Sequence, residues 1–206
     1  MGEYKFSFTA ASALVNETIT IARTQLLLND WDKTKAEVLD NNLMQKVKVS
    51  SAKRQYIEIE KRLKLLNNEQ LELLCGGNID EAKAIVWLSI VKTYSFISDF
   101  ASEVLFVNYV NREYILSDLY YWQFWEYKSN THAECLNISE ATQKKVKQVL
   151  FSILDQLGFI TSISQRTIVN PLFSKQVENV IVKDNPRLLT LFLYEDFQVK
   201  QILDNL

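Results

Sequence analysis

Apolar side chains along this chain recur mostly at steps of three and four, the spacing of a helix with one buried face. From about Ala10 to Leu28, Leu14, Thr18, Ile21 and Leu28 share a side, with Ala22 and Leu26 beside them. A short helix follows over Asp32 to Asp40, with Asp30 or Asp32 as its N-cap. Asn41 to Val49 reads as a turn with an extended end. The third helix carries the clearest stripe: Ala52, Tyr56, Ile59, Leu63 and Leu66, with Ser50 or Ser51 placed to cap it. Asn67 with Gln70, and Asn78 with Glu81, each have capping-box spacing. They bracket a short helix ending at Gly76-Gly77 and open another that runs to about Thr93.

Residues 85–109 are apolar on most sides, so they read as two consecutive buried helices or one kinked helix. A helix near Ser117 to Tyr127 is crowded with aromatic residues, and the polar loop Lys128 to Ile138 holds His132. Ser139 can cap a long helix to Leu157 with a stripe at Val146, Val149, Ile153 and Leu157, and Gly158 ends it. Residues 159–161 and 167–169 alternate around a polar Ser-Gln-Arg tip before Pro171, which predicts a β-hairpin. Short helices are expected from about Ser174 and from Pro186, a residue suited to the first helical position. The fold class is therefore all-α, with helix-turn-helix-like and winged-helix-like parts and one hairpin. Two lobes are expected, 1–76 with the helix-turn-helix-like segment and 77–206 with the helix and hairpin of 139–169.

Composition agrees with long helices. Only four Gly and two Pro punctuate 206 residues, and 48 % of the chain is apolar, an ordinary share for a globular protein. No apolar run of about 18 residues is unbroken, which argues against a membrane span. The N-terminus lacks the basic start of a signal peptide. Two widely separated cysteines, Cys75 and Cys135, make no disulfide framework, so a reducing cytoplasm is the expected location. With one histidine, Cys and His supply three ligands at most, too few for a structural zinc site. A Ser-His-Asp or Cys-His site would have to use His132, whose polar surroundings read as surface. Gly76-Gly77 closes a helix and matches no phosphate loop. No catalytic residue, metal, cofactor or small-molecule substrate is implied.

The net charge of −2 requires a nucleic-acid binder of this composition to gather its cations on one face. Two segments offer that. From Lys46 to Lys64, seven basic residues stand against Glu58 and Glu60, and a short helix, a turn and a second helix resemble a helix-turn-helix. Candidate phosphate ligands there are Lys46, Lys48, Ser50, Ser51, Lys53, Arg54 and Lys61. In the second segment Thr142, Lys144, Lys145 and Lys147 open a helix followed by the hairpin with Arg166 near its tip, the order of a winged helix. A solvated basic face is the competing reading of both. The aromatic cluster from Tyr114 to Tyr127 is too dense to be wholly exposed, and reads as core or interface before base stacking.

These residues also resemble a family. Phe8-Thr9, Asn16-Glu17-Thr18, Trp31, Asn42-Leu43, Ser50 to Arg54, Arg62-Leu63 and Glu69 to Leu74 carry the first part of the likeness. Trp87, Tyr94 to Ile97, Phe100-Ala101, Glu103 to Leu105, Lys144 to Val146, Val149 to Phe151 and Gly158 to Ile160 carry the rest. Over about Tyr4 to Pro171 the chain resembles BrxA, the small helical component of BREX bacteriophage-exclusion systems. That family has been likened to the RNA-binding antitermination factor NusB, and the resemblance implies nucleic-acid binding. The expectation is a non-enzymatic accessory protein that holds double-stranded DNA, with other BREX proteins as further partners. The alternative is an adaptor that assembles larger BREX enzymes without touching DNA.

Overall fold

The computed structural model describes residues 3–204, which form twelve α-helices and no strand. They divide into two compact units, one of Ala10–Thr93 and one of the described residues up to Thr9 and from Tyr94 onward.

The 10–93 unit holds α1 (Val15–Leu28), α2 (Trp31–Asp40), α3 (Val49–Leu63), α4 (Asn68–Gly76) and α5 (Ile79–Thr93). The stripe expected for α3 is buried: Tyr56, Ile59 and Leu63 are inaccessible, and Ala52 and Leu66 nearly so. α5 is apolar nearly all round because it packs on α1, α3 and α4, with Trp87 fully buried. Polar ends set the helix boundaries. Asp30 accepts from the amides of Asp32 and Lys33, and Asn67 and Gln70 form a reciprocal capping box. Asn78 and Glu81 make the equivalent pair at α5, each side chain accepting from the other's amide at 2.9–3.0 Å. Gly77 is required there, since a Cβ would lie 2.6 Å from the Leu73 carbonyl oxygen.

Two expectations fail in this unit. α1 starts at Val15 rather than near Ala10, because Leu14 turns left-handed (φ 52°) and the preceding carbonyls point elsewhere. Arg62, wholly buried, donates to those of Ala11 (2.8 Å), Ser12 (2.9 Å) and Ala13 (3.4 Å). Neither Ser50 nor Ser51 caps α3. The helix begins at Val49, and Lys48 occupies the N-cap with no side-chain bond.

The other unit contains α6 (Ser95–Phe100), a π-helical turn (Ala101–Leu105), α7 (Phe106–Val110), α8 (Asp118–Ser129), α9 (Ala133–Leu136), α10 (Glu140–Gln156), α11 (Lys175–Asp184), a 3-10 turn (Pro186–Phe192) and α12 (Asp196–Asp204). The apolar run over 85–109 is thus two consecutive helices, parted at Tyr94, whose backbone is extended. Edge-to-face rings fill the centre: Phe8 on Tyr94 at 5.4 Å, and Phe124 on Phe96 and Phe100 at 5.3 Å. Of the aromatic cluster, Tyr121, Phe124 and Trp125 are buried, Tyr120 and Trp122 are half-buried, and Tyr114 and Tyr127 are exposed, so its centre is core and its two ends are surface. Ser139, Ser174 and Asn185 cap α10, α11 and the 3-10 turn, and Pro186 takes the first position of that turn.

The predicted β-hairpin does not form. Thr161 N donates to Thr167 O and Val169 N to Phe159 O, yet the only rung between the arms is the isolated bridge Ile160–Ile168. Gly158 (φ 81°) and Arg166 (φ 52°) both turn left-handed, and Pro171 follows closely, so each arm has only a few residues to extend. The far side of 166–168 pairs instead with 114–116: Leu116 N donates to Arg166 O, and Ile115 bridges Thr167. His132 also differs from expectation. It is buried, its ring stacked on Tyr4 with centroids 3.8 Å apart. Beneath that stack the Tyr4 hydroxyl donates to Asp99 at 2.5 Å, and the buried Lys128 ammonium reaches Asp99 (3.0 Å) and Glu103 (2.6 Å). Burial opposes the Lys128 charge, but the hydrogen bonds to Glu103 and Asp99 outweigh it and raise its pKa.

Candidate nucleic-acid interface

α2 and α3 are joined by residues 41–48, longer than the roughly three to four residues of a helix-turn-helix. Asn42 and Gln45 turn left-handed, and the Lys46 amide donates to Asn42 Oδ1 at 2.9 Å. The Lys46 side chain folds back into an ion pair with Glu17. The chain then bends at the fully exposed Val47 and runs extended through Lys48 into α3.

The first turn of α3 is open in three ways. It has no side-chain cap and no acidic residue, so the amides of Val49 and Ser50 lack intrahelical acceptors and their partial positive charge is unopposed. Lys48, Lys53 and Arg54 are exposed beside it. Ser50 is exposed and Ser51 half-buried, with their hydroxyls uncommitted to capping. Amides, hydroxyls and cations together are the donors that phosphate oxygens accept from. The last turn of α3 is different. Arg62 is interior, Lys61 is half-buried, and Lys64 pairs with Glu60 at 2.6 Å while lying 5.3 Å from the Trp31 ring centroid.

α10 begins with its hydroxyls engaged. Ser139 Oγ accepts from the Thr142 amide at 3.2 Å and lies 3.0 Å from the Thr142 hydroxyl. Lys144 is exposed and 3.9 Å from Glu140, and exposed Lys145 donates to Gln148 Oε1 at 3.2 Å. Lys147 and Arg166 converge on Asp118, Lys147 at 2.6 Å. Lys147 also lies 5.3 Å from the Trp122 ring centroid, and the Arg166 guanidinium sits 4.3 Å from that of Phe151. Hydrogen bonds from Lys147 and Arg166 hold the Asp118 carboxyl below the ordinary carboxylate range. Of the cations in this segment, only Lys144 and Lys145 extend into solvent.

Asp118 is the residue that sequence reasoning missed. It lies 29 positions before Lys147 and 48 before Arg166, and no local pattern links them. Among the described residues no group of three His, Cys, Asp or Glu side chains is placed to hold a metal ion. No single helix among the described residues is long and apolar enough to cross a membrane.

A family model described as BrxA matches residues 2–185. A protein of Bacillus cereus (strain H3081.97) described as BREX protein BrxA is 28 % identical over 185 residues, which is 88 % of this chain and 90 % of that protein. A crystal structure of an uncharacterized protein from Magnetospirillum magneticum superposes with a TM-score of 0.81 at 20 % identity. The superposition covers 93 % of this chain and 98 % of that one, a likeness of fold.

Proposed function

The chain belongs to the BrxA family, and from that premise we propose that it serves a BREX phage-defence system as a non-enzymatic, cytoplasmic protein that binds double-stranded DNA. The observation that carries this reading is the first turn of α3. Lys48 at the N-cap and Lys53 and Arg54 one turn on are exposed, the first two amides lack intrahelical acceptors, and no carboxylate stands in that turn. Phosphates are the ligands such a turn suits, and phosphate contacts fix a protein on duplex without reading its sequence. Lys144 and Lys145 extend the reading to α10. Lys46, Lys147 and Arg166 contribute less, because each already faces a carboxylate. The test is a titration of the protein with duplex DNA, single-stranded DNA and RNA of one sequence. Duplex should bind most tightly, and different duplex sequences should bind alike. No binding to any of the three at low salt would overturn the reading.

The adaptor reading draws on a separate observation. Val47 and Val49, on either side of Lys48, are 100 % and 67 % exposed, an apolar feature that duplex DNA does not use and a protein surface does. If Val47→Ser and Val49→Ser together abolish association with another BREX protein and leave duplex affinity intact, the same turn also serves assembly.

A further inference from the structure

α7 and α8 enclose a groove of about 310 Å³, at the small end for ligand sites, with room for one long side chain. Its walls come from the π-helical turn with α7 on one side and α8 on the other, and such widened turns recur at functional sites. Two carboxylates line it, Glu103 and Glu113, and the buried Lys128 ammonium lies behind its wall, 5.3 Å from the Phe124 ring centroid and 5.7 Å from that of Tyr127, which leaves Glu113 as the carboxylate with no cation beside it. Lys128 holds Oε1 of Glu103. Glu113 accepts from the Tyr120 hydroxyl. Tyr120, Phe124 and Tyr127 supply ring surface, Tyr127 being 60 % exposed.

Asn108 is the independent pointer. It lines the groove and is 6 % exposed. Its Nδ2 donates to the Val104 carbonyl at 2.8 Å, while its buried Oδ1 has no hydrogen-bond partner. A buried carbonyl oxygen without a donor is destabilising, so a donor delivered from the groove is favoured there.

We propose that this groove receives an arginine side chain of a protein partner. The guanidinium is planar, permanently charged and rich in donors. It can stack on tyrosine while bonding carboxylate and amide oxygens, a combination lysine supplies less well. The carboxylates repel a phosphate backbone, so the proposal stands apart from DNA binding. A peptide arginine is favoured over a free guanidine because Val107, Val110 and Leu119 on α7 and α8 are exposed and offer apolar area to flanking residues.

The test is an NMR titration of the full chain with N-acetyl-argininamide, its citrulline counterpart and agmatine. N-acetyl-argininamide should saturate with shifts at Asn108, Glu113 and Tyr127, and citrulline should bind at least tenfold more weakly. Glu113→Gln, which keeps an acceptor for Tyr120, should weaken the arginine probe at least fivefold. Glu126→Gln, exposed on α8 outside the groove, should leave it unchanged. Neither variant should alter duplex affinity. No saturable shift up to about 20 mM, equal binding of citrulline, or agmatine binding tenfold tighter than the peptide-like probe would each overturn the proposal.

Discussion

The two ends of α3 contain the same kinds of residue and do opposite work. At its start Lys48, Lys53 and Arg54 stand in solvent around an uncapped turn. At its end Arg62 is as buried as Trp87, its charge spread over the carbonyls of residues 11–13. α10 repeats the contrast: Lys144 and Lys145 face water, while Lys147 and Arg166 close on Asp118. A count of basic residues therefore overstates the surface available to a polyanion. What matters is which cations the fold has already given an acceptor.

The comparison breaks most visibly at Arg62. Arg62→Leu should lower stability by about 3–5 kcal/mol, because carbonyls that cannot reach water lose their donor. Denaturant unfolding checks this, and the folded fraction should keep its duplex affinity. A stability loss under about 1 kcal/mol would show that Arg62 is not a structural clamp. Arg166→Ala should cost less, about 1–2 kcal/mol, through lost stacking on Phe151 and a weakened tie to Asp118. A thermal melt at neutral pH would detect it.

Asp118→Asn sharpens the same point by pH. The folded carboxyl titrates below its unfolded value of about 4, so its contribution is present above that pH. It is lost as pH falls through the lower, folded value. Because the Asp118 side chain is 58 % exposed, the contribution should be under about 1 kcal/mol. Wild type and variant should therefore differ in stability at pH 6 and converge toward pH 2. A difference that persists unchanged at pH 2 would contradict the assignment.

The local features of the fold were legible. Asp30, Asn67 with Gln70, Asn78 with Glu81, Ser139, Ser174 and Gly158 act where their spacing places them, because caps depend on residues only two to four positions apart. The all-α class and the α3 stripe follow from the same short-range periodicity. One local expectation fails, since Lys48 and not Ser50 or Ser51 takes the N-cap of α3, and the other failures are long-range. The 159–169 segment has hairpin patterning, but residues 114–116 take its outer hydrogen bonds. His132 sits in a polar stretch and is buried only because Tyr4, far away in sequence, lies on its ring. For the candidate site, the charge-rich segments are visible in the sequence, and Lys48, Lys53 and Arg54 lie within them. Which neighbours were already paired depended on Glu17, Asp118 and residues 11–13, none of which the local pattern indicates.

The smallest effect on folding and the most direct test of function coincide in Lys53→Ala with Arg54→Ala. Both side chains are exposed, so stability should change by no more than about 0.5 kcal/mol. If Lys48, Lys53, Arg54, Lys144 and Lys145 each neutralise one phosphate, log affinity for duplex should fall against log salt with a slope of roughly −4 to −5. The decisive measurement is that slope for wild type and the double variant. The variant should bind every duplex sequence more weakly and flatten the slope by up to about two units. An unchanged affinity and slope, in a variant as stable as wild type, would contradict the claim that the first turn of α3 holds DNA.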